Sequence, residues 1–192
     1  MNTVIYMVRH GDSPKAEGNE RTRGLTEKGK IGANRVTDIL QKEGIEAVVS
    51  SPYSRSILTI QRLAEHLGQE VLVFEDLKER VFSTGDKRIS DKELMPLLKK
   101  SFSNPNFALM GGESNAACQE RAMRVLKELL NTYQGRKIAL GTHGAVMTLM
   151  MGYYESRFDL NFLLHSSKPD IYRMEFCGQE LVEVTRLWEE IQ

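Results

Sequence analysis

The chain has 192 residues, 41% of them apolar and 27% charged, which suits one α/β domain with a sizeable core, or at most that core with an inserted cap. Lysine plus arginine equals aspartate plus glutamate at 26 each, so the formal net charge is zero; this argues against nucleic acid or an acidic membrane surface as the main partner, since both select a basic excess. Any anion site must therefore be local, and with no signal peptide before the first strand and no apolar run long enough to span a bilayer, the expected location is the cytoplasm.

Thr3 to Val8, rich in β-branched and aromatic residues, reads as a buried strand, and it gives way abruptly to Arg9, His10, Gly11, Asp12, Ser13 and Pro14, the composition of a tight loop. After a polar stretch carrying Arg21 and Arg23, a helix is expected from Thr26 as N-cap, with an apolar stripe through Ile31, Val36, Ile39 and Leu40, ending at Gly44. A second strand at 45–49 runs into Ser51, Pro52, Ser54 and Arg55, then a helix capped by Ser54 and closed by Gly68. A third strand is expected at 70–74, followed by Lys78, Glu79 and Arg80. Between 81 and 107 only a short helix at 90–98 is expected, the rest being loop and the place for a lid or cap. Ser114 caps the clearest helix, whose face includes Ala117, Ala122, Val125, Leu126, Leu129 and Leu130. A fourth strand at 137–140 exits through Gly141, Thr142, His143 and Gly144 into an apolar helix at 145–153. Segments 171–176 and 180–187 read as an antiparallel hairpin.

Strands alternating with helices imply a mainly parallel sheet covered on both faces, an α/β fold in which ligands bind beyond the carboxyl ends of the strands. Arg9 with His10, Arg55, Glu79 and His143 all lie just past a predicted strand, so four loops deliver them to one sheet edge. Fixed guanidinium forks match the spread charge of a transferring phosphoryl group, an imidazole can attack phosphorus, and a carboxyl group can protonate the leaving oxygen and later activate water. Gly11 would let backbone N–H groups approach an anion, and His143 would stand at a helix N-terminus that favours one. The set of His10, Glu79 and His143 also matches a mononuclear metal site, but Arg9 and Arg55 oppose a cation, so no metal or other cofactor is expected. Cys118 and Cys177 lack metal-ligand spacing and are expected to be free, buried thiols.

Taken in order, Arg9-His10-Gly11, Ser51-Pro52 with Arg55, Leu77-Lys78-Glu79, Gly112-Glu113-Ser114 and Gly141-Thr142-His143-Gly144 resemble the histidine phosphatase superfamily, in the branch similar to broad-specificity phosphatases and phosphoglycerate mutases. The resemblance covers about residues 3–150. It implies a three-layer phosphoglycerate mutase-like fold over a single domain, 1–192, with a cap around 81–107. It further implies a metal-independent phosphomonoester hydrolase acting through a phosphohistidine on His10, with Glu79 as proton donor and Arg9, Arg55 and His143 forming the phosphate pocket. Gly11, Ser13 and Gly144 then fall to the substrate-binding set. The expected partner is a small phosphate ester, with no nucleic acid and no membrane.

Departures from the family pattern bear on the details. Asp12, Ser13 and Pro14 stand where the family commonly has Glu then Ser or Thr, and no asparagine follows until Asn19, so Arg21 or Arg23 is expected to take over part of the phosphate contact. Arg80-Val81-Phe82-Ser83 replaces a tryptophan-containing pattern. The short chain favours hydrolysis over a mutase-type phosphotransfer. A phosphohistidine or phosphoprotein phosphatase and a non-catalytic phospho-ligand module remain as alternatives, while His66 and His165 lack a catalytic context.

Overall fold

The fold comes from a computed structural model that describes residues 1–86 and 88–191; Lys87, inside the expected 81–107 cap, and Gln192 lie outside the described residues. Six strands form one sheet in the order β3-β2-β4-β1-β5-β6. β1 (Thr3–Arg9) lies at its centre, between β4 (Lys137–Thr142), which it pairs in parallel, and β5 (Asp170–Cys177), which it pairs antiparallel. On the far side of β4, β2 (Ala47–Ser50) and β3 (Val71–Val73) continue the parallel part, and β6 (Glu180–Arg186) closes the opposite edge beside β5. The central strands are apolar on both faces, as a sheet covered on both sides requires.

One face is covered by α1 (Glu27–Leu40) and α2 (Ser54–His66), packed through Val36, Leu40, Ile60 and Leu63. The other is covered by α4 (Asn115–Thr132) and α5 (Gly144–Tyr154), packed through Leu126, Leu129, Val146 and Met150. Each helix begins where its sequence stops favouring strand or loop. Thr26 accepts the Gly29 N–H and Ser114 that of Ala117, and each side chain thereby satisfies a free donor at its helix N-terminus.

A smaller apolar cluster stands apart from the sheet: Phe82, Leu98, Ala145 and Leu163 bring α3 (Asp91–Ser103) against α6 (Leu160–His165) above α5. α3 starts with a full capping box between Ser90 and Glu93 and runs past Leu98, where the expected helix stopped. Pro96 sits within it, and the added last turn, 99–103, is polar except for Phe102, so it carries little apolar periodicity. α6, capped by Asp159, lies between the expected helix at 145–153 and the hairpin, where the sequence pattern gives no element.

Other expectations need correction. Ser54 is the first residue of α2, and Tyr53, which makes no side-chain cap, stands at the N-cap position. Ile31 and Ala117 face solvent, because each lies off its helix's inward stripe. Cys118 is buried in α4, but Cys177 is exposed at the hairpin turn, where Gly178 takes φ 58°.

Candidate active site

Strand register decides which loops meet. Arg9 pairs with Thr142, Ser50 with Gly141 and Val73 with Ser50, so β1, β4, β2 and β3 end almost level and their next residues emerge side by side. β5 runs the other way and begins opposite Arg9, which brings the preceding segment 166–169 to the same edge.

His10 is 5% exposed at the floor of this edge. Its Nδ1 lies 2.7 Å from the Gly11 carbonyl, an acceptor, so Nδ1 carries the ring proton and Nε2 keeps its lone pair. Arg55 Nε donates to that Nε2 at 3.3 Å. Burial, and then the Arg55 and Arg9 charges, hold the His10 pKa well below the ordinary histidine value. His143 packs edge-on to His10 with ring centroids 5.2 Å apart, its Nε2 2.7 Å from Ser51 Oγ and its Nδ1 without a partner among the described residues. Burial, with Arg55 next, lowers its pKa as well.

Arg55 is 1% exposed; its terminal nitrogens bond the Glu20 backbone oxygen and, at 3.0 Å, Glu20 Oε2. Burial lowers its pKa to about 10, which leaves it charged at neutral pH. Arg9 reaches across to Ser166, donating to its backbone oxygen at 3.3 Å and to its hydroxyl, while its Nε has no partner among the described residues. Gly144 makes room for that reach, since a Cβ there would lie 2.7 Å from the Arg9 guanidinium carbon.

Glu79 follows a single 3-10 turn at Glu75–Leu77. Its Oε1 accepts the N–H groups of Arg80 (2.7 Å) and Val146 (2.8 Å), and its Oε2 that of Ala145 (3.0 Å). The carboxylate thus sits on the N-terminus of α5, where the helix dipole favours it, two residues past His143. Its backbone is gripped from behind. Arg121 donates to the carbonyls of Asp76, Lys78 and Glu79 at 2.7–3.0 Å while pairing with Glu113, which in turn accepts the Val81 N–H.

The remaining sequence candidates are placed differently. The Gly11 N–H already donates to Thr59 Oγ1, and a Cβ there would lie 2.8 Å from the Gly29 carbonyl oxygen, so this glycine allows the loop to pack on α1. Ser13 lines the cavity and donates to the Gly24 carbonyl. Arg21 forks onto Glu75 at 2.7 and 3.1 Å, and Arg23 meets Glu20 at 3.3 Å. His66 and His165 are exposed and away from the cavity lining.

Several residues that complete the site lacked a motif to reveal them. Glu20 ties Arg55 to Arg23, and Tyr53 lies 5.1 Å from the His143 ring with the Arg55 guanidinium 5.0 Å from its centroid. Lys168 reaches the site through the antiparallel register of β5, which hydrophobic patterning alone does not settle. These groups surround a cavity of about 620 Å³ whose floor holds Arg9, His10, Arg55 and Glu79 and whose upper wall is built from Phe82, Leu94 and Leu98.

The family model of the histidine phosphatase superfamily (branch 1) matches residues 5–186. Phosphoglycerate mutase-like protein 4 of Arabidopsis thaliana is 30% identical over 197 residues, covering 96% of this chain and 80% of that protein. The solved structure of a mycobacterial glucosyl-3-phosphoglycerate phosphatase superposes with a TM-score of 0.76 at 18% identity, over 97% of this chain and 98% of the other. A phosphoserine phosphatase mutant from Entamoeba histolytica, in complex with phosphoserine, gives 0.76 at 21% identity over 94% of both chains. The fold is accordingly phosphoglycerate mutase-like, and this chain belongs to the histidine phosphatase superfamily.

Proposed function

We propose that the protein is a metal-independent phosphomonoester hydrolase that works in two steps through a phosphohistidine at His10 Nε2. The observation that carries this reading is the fixed tautomer of His10: Nδ1–H bound to the Gly11 carbonyl, and Nε2 unprotonated, its lone pair accepting only a 3.3 Å hydrogen bond from Arg55 Nε among the described residues.

In the first step the Nε2 lone pair forms the N–P bond as the ester P–O bond breaks, and the leaving oxygen takes a proton. Arg55 Nε, Arg9 Nε and His143 supply donors to the equatorial oxygens, whose charge is spread in the transition state. Glu79 Oε2, which accepts only the Ala145 N–H, has room to pass a proton to the leaving oxygen. In the second step water attacks phosphorus, the N–P bond breaks, and Glu79 takes the proton from that water. His10 returns to its starting state.

A mutase-type transfer uses the same first step and hands the phosphoryl group to a second hydroxyl instead of water. The open cavity favours water, because 620 Å³ with a polar floor admits solvent freely. Phosphate release from p-nitrophenyl phosphate in the presence of EDTA tests the proposal. Wild-type protein should turn over and His10→Ala should lose at least about 10³-fold in kcat, the scale expected for removing a covalent nucleophile. Near-native turnover by a pure His10→Ala preparation, or full inhibition by EDTA, contradicts it.

A further inference from the structure

The phosphoryl pocket leaves much of the charge around it unexplained. The cavity is lined by nine basic side chains against five acidic ones, in a chain whose formal net charge is zero. A phosphomonoester supplies only about two negative charges.

Six of the nine already have carboxylate partners. Lys15 and Arg88 share Asp91, Arg21 and Lys78 share Glu75, and Arg23 and Arg55 share Glu20. Arg9 is held by Ser166, and Arg80 by neutral oxygens of Asn115, Val81 and Ser101. Lys168 alone among these described cations has neither a hydrogen bond nor an ion pair.

The backbone that carries Lys168 is fixed on both sides. Ser166 is held by Arg9, the Ser167 N–H donates to Asp170 Oδ2 at 3.0 Å, and Arg186 spans Ser167 and Asp170. Pro169 lies so close to α1 that a Cβ on Gly32 would fall 2.6 Å from its ring. Pinned in this way, the segment presents the lysine side chain to the cavity. Lys168 is exposed where it lines the cavity; the partial desolvation it undergoes there, and then Arg9, Arg23 and Lys15, press its pKa down to about 8, with Asp12 opposing them. A cation held in a field of like charge without a counter-ion is destabilised, and a ligand's negative charge would relieve it.

We propose that Lys168 binds a second anionic group of the substrate, a carboxylate or a phosphate, next to the phosphoryl group that is transferred. This rests on the phosphatase reading and narrows it to phosphate esters with an acidic leaving portion. Because Arg9 bonds Ser166, two residues before Lys168, and both cations line the cavity that holds His10, the two anionic groups are separated by a short spacer.

Matched ester pairs test the inference: ethyl phosphate against phosphoglycolate and against ethanediol bisphosphate for a short spacer, and phenyl phosphate against 4-carboxyphenyl phosphate for a longer one. Wild-type protein should prefer the charged member of a short pair by about tenfold in kcat/KM, carried by KM. The carboxylate and bisphosphate arms distinguish which anion is held. In Lys168→Gln the ratio should fall close to one, and Lys168→Arg should restore it. A wild-type ratio of one in both short pairs, or a ratio that survives in Lys168→Gln, overturns the proposal. The same pairs titrated calorimetrically into His10→Ala and into the double variant read the Kd ratio without turnover. If no ester is hydrolysed, the phosphatase reading fails while the Lys168 inference is still decided by that ratio.

Discussion

At the scale of single residues the site works by holding ordinary groups in unusual states. An exposed imidazole is partly protonated near neutrality, whereas burial and two guanidinium neighbours keep His10 neutral, and the Gly11 carbonyl decides which nitrogen stays bare. The acid limb of the pH–rate profile, where His10 becomes protonated and loses its lone pair, should therefore lie below pH 6.5, the reference value for histidine; a steady-state profile of kcat/KM checks this. In the proposed reaction Glu79 acts on the leaving group, so Glu79→Gln should slow alkyl phosphates by about 10²–10⁴-fold, the usual worth of general acid catalysis. It should slow p-nitrophenyl phosphate far less, because that leaving group departs without a proton, and a plot of log kcat against leaving-group pKa should steepen. Arg55→Ala removes the donor proposed for the transferring oxygens and should lower kcat by about 10²–10³-fold while raising KM. The residues proposed for these roles could be picked out in the sequence because each belongs to a short motif within a few residues of a strand's carboxyl end. Glu20 and Lys168 were not legible, since a carboxylate or a lysine in a polar loop has no pattern that says which charge it will meet.

At the scale of elements, the decisive feature is that loops from opposite directions interlock. Gly144 opens α5 and lets the Arg9 side chain pass beneath Leu163, so Gly144→Ala should push the guanidinium aside and cost about 10²-fold in kcat/KM, the scale of a misplacement near 1 Å. The check is kinetics together with an unchanged far-ultraviolet circular dichroism spectrum. The Glu113–Arg121 pair holds the Glu79 loop by three carbonyls and one N–H. Arg121→Met leaves the half-buried Glu113 without its cation and strips the Glu79 loop of three carbonyl contacts, and should destabilise the fold by about 3 kcal/mol, lowering Tm by roughly 6–12 °C in a chain of this size. Calorimetry reads that shift, and an unchanged Tm would show the pair to be dispensable. The long amphipathic helices and the central strands were legible because their apolar periodicity is strong and their caps are conventional. α6 and the extension of α3 were not, since six residues show too little periodicity and the last turn of α3, 99–103, is polar except for Phe102.

At the scale of the whole molecule, a parallel sheet with one antiparallel hairpin brings five loops to a single edge, four by carboxyl ends and one by the start of β5. The sequence shows the alternation of strands and helices, and so the covered sheet, but the order of strands depends on long-range pairing that local patterns do not encode. That architecture also buries two neutral histidines, His10 at the floor of the cavity and His143 packed edge-on beside it. Their folded pKa values lie below the unfolded reference of 6.5, so the unfolded chain binds more protons in acid and stability is lost as pH falls below that value. Each contributes a slope of up to about 1.4 kcal/mol per pH unit there. Tm should decline from pH 7 towards pH 5, and His10→Ala should flatten the decline. The central claim is that the converging loops place a phosphoryl group on His10. Rapid mixing with p-nitrophenyl phosphate, an alkaline quench that preserves phosphohistidine, and peptide mass spectrometry test it most directly: the account predicts a phosphoryl group on His10 that appears with the burst of nitrophenol and decays as phosphate is released, whereas turnover with His10 unmodified at every time point, or with the phosphoryl group on another residue, would contradict it.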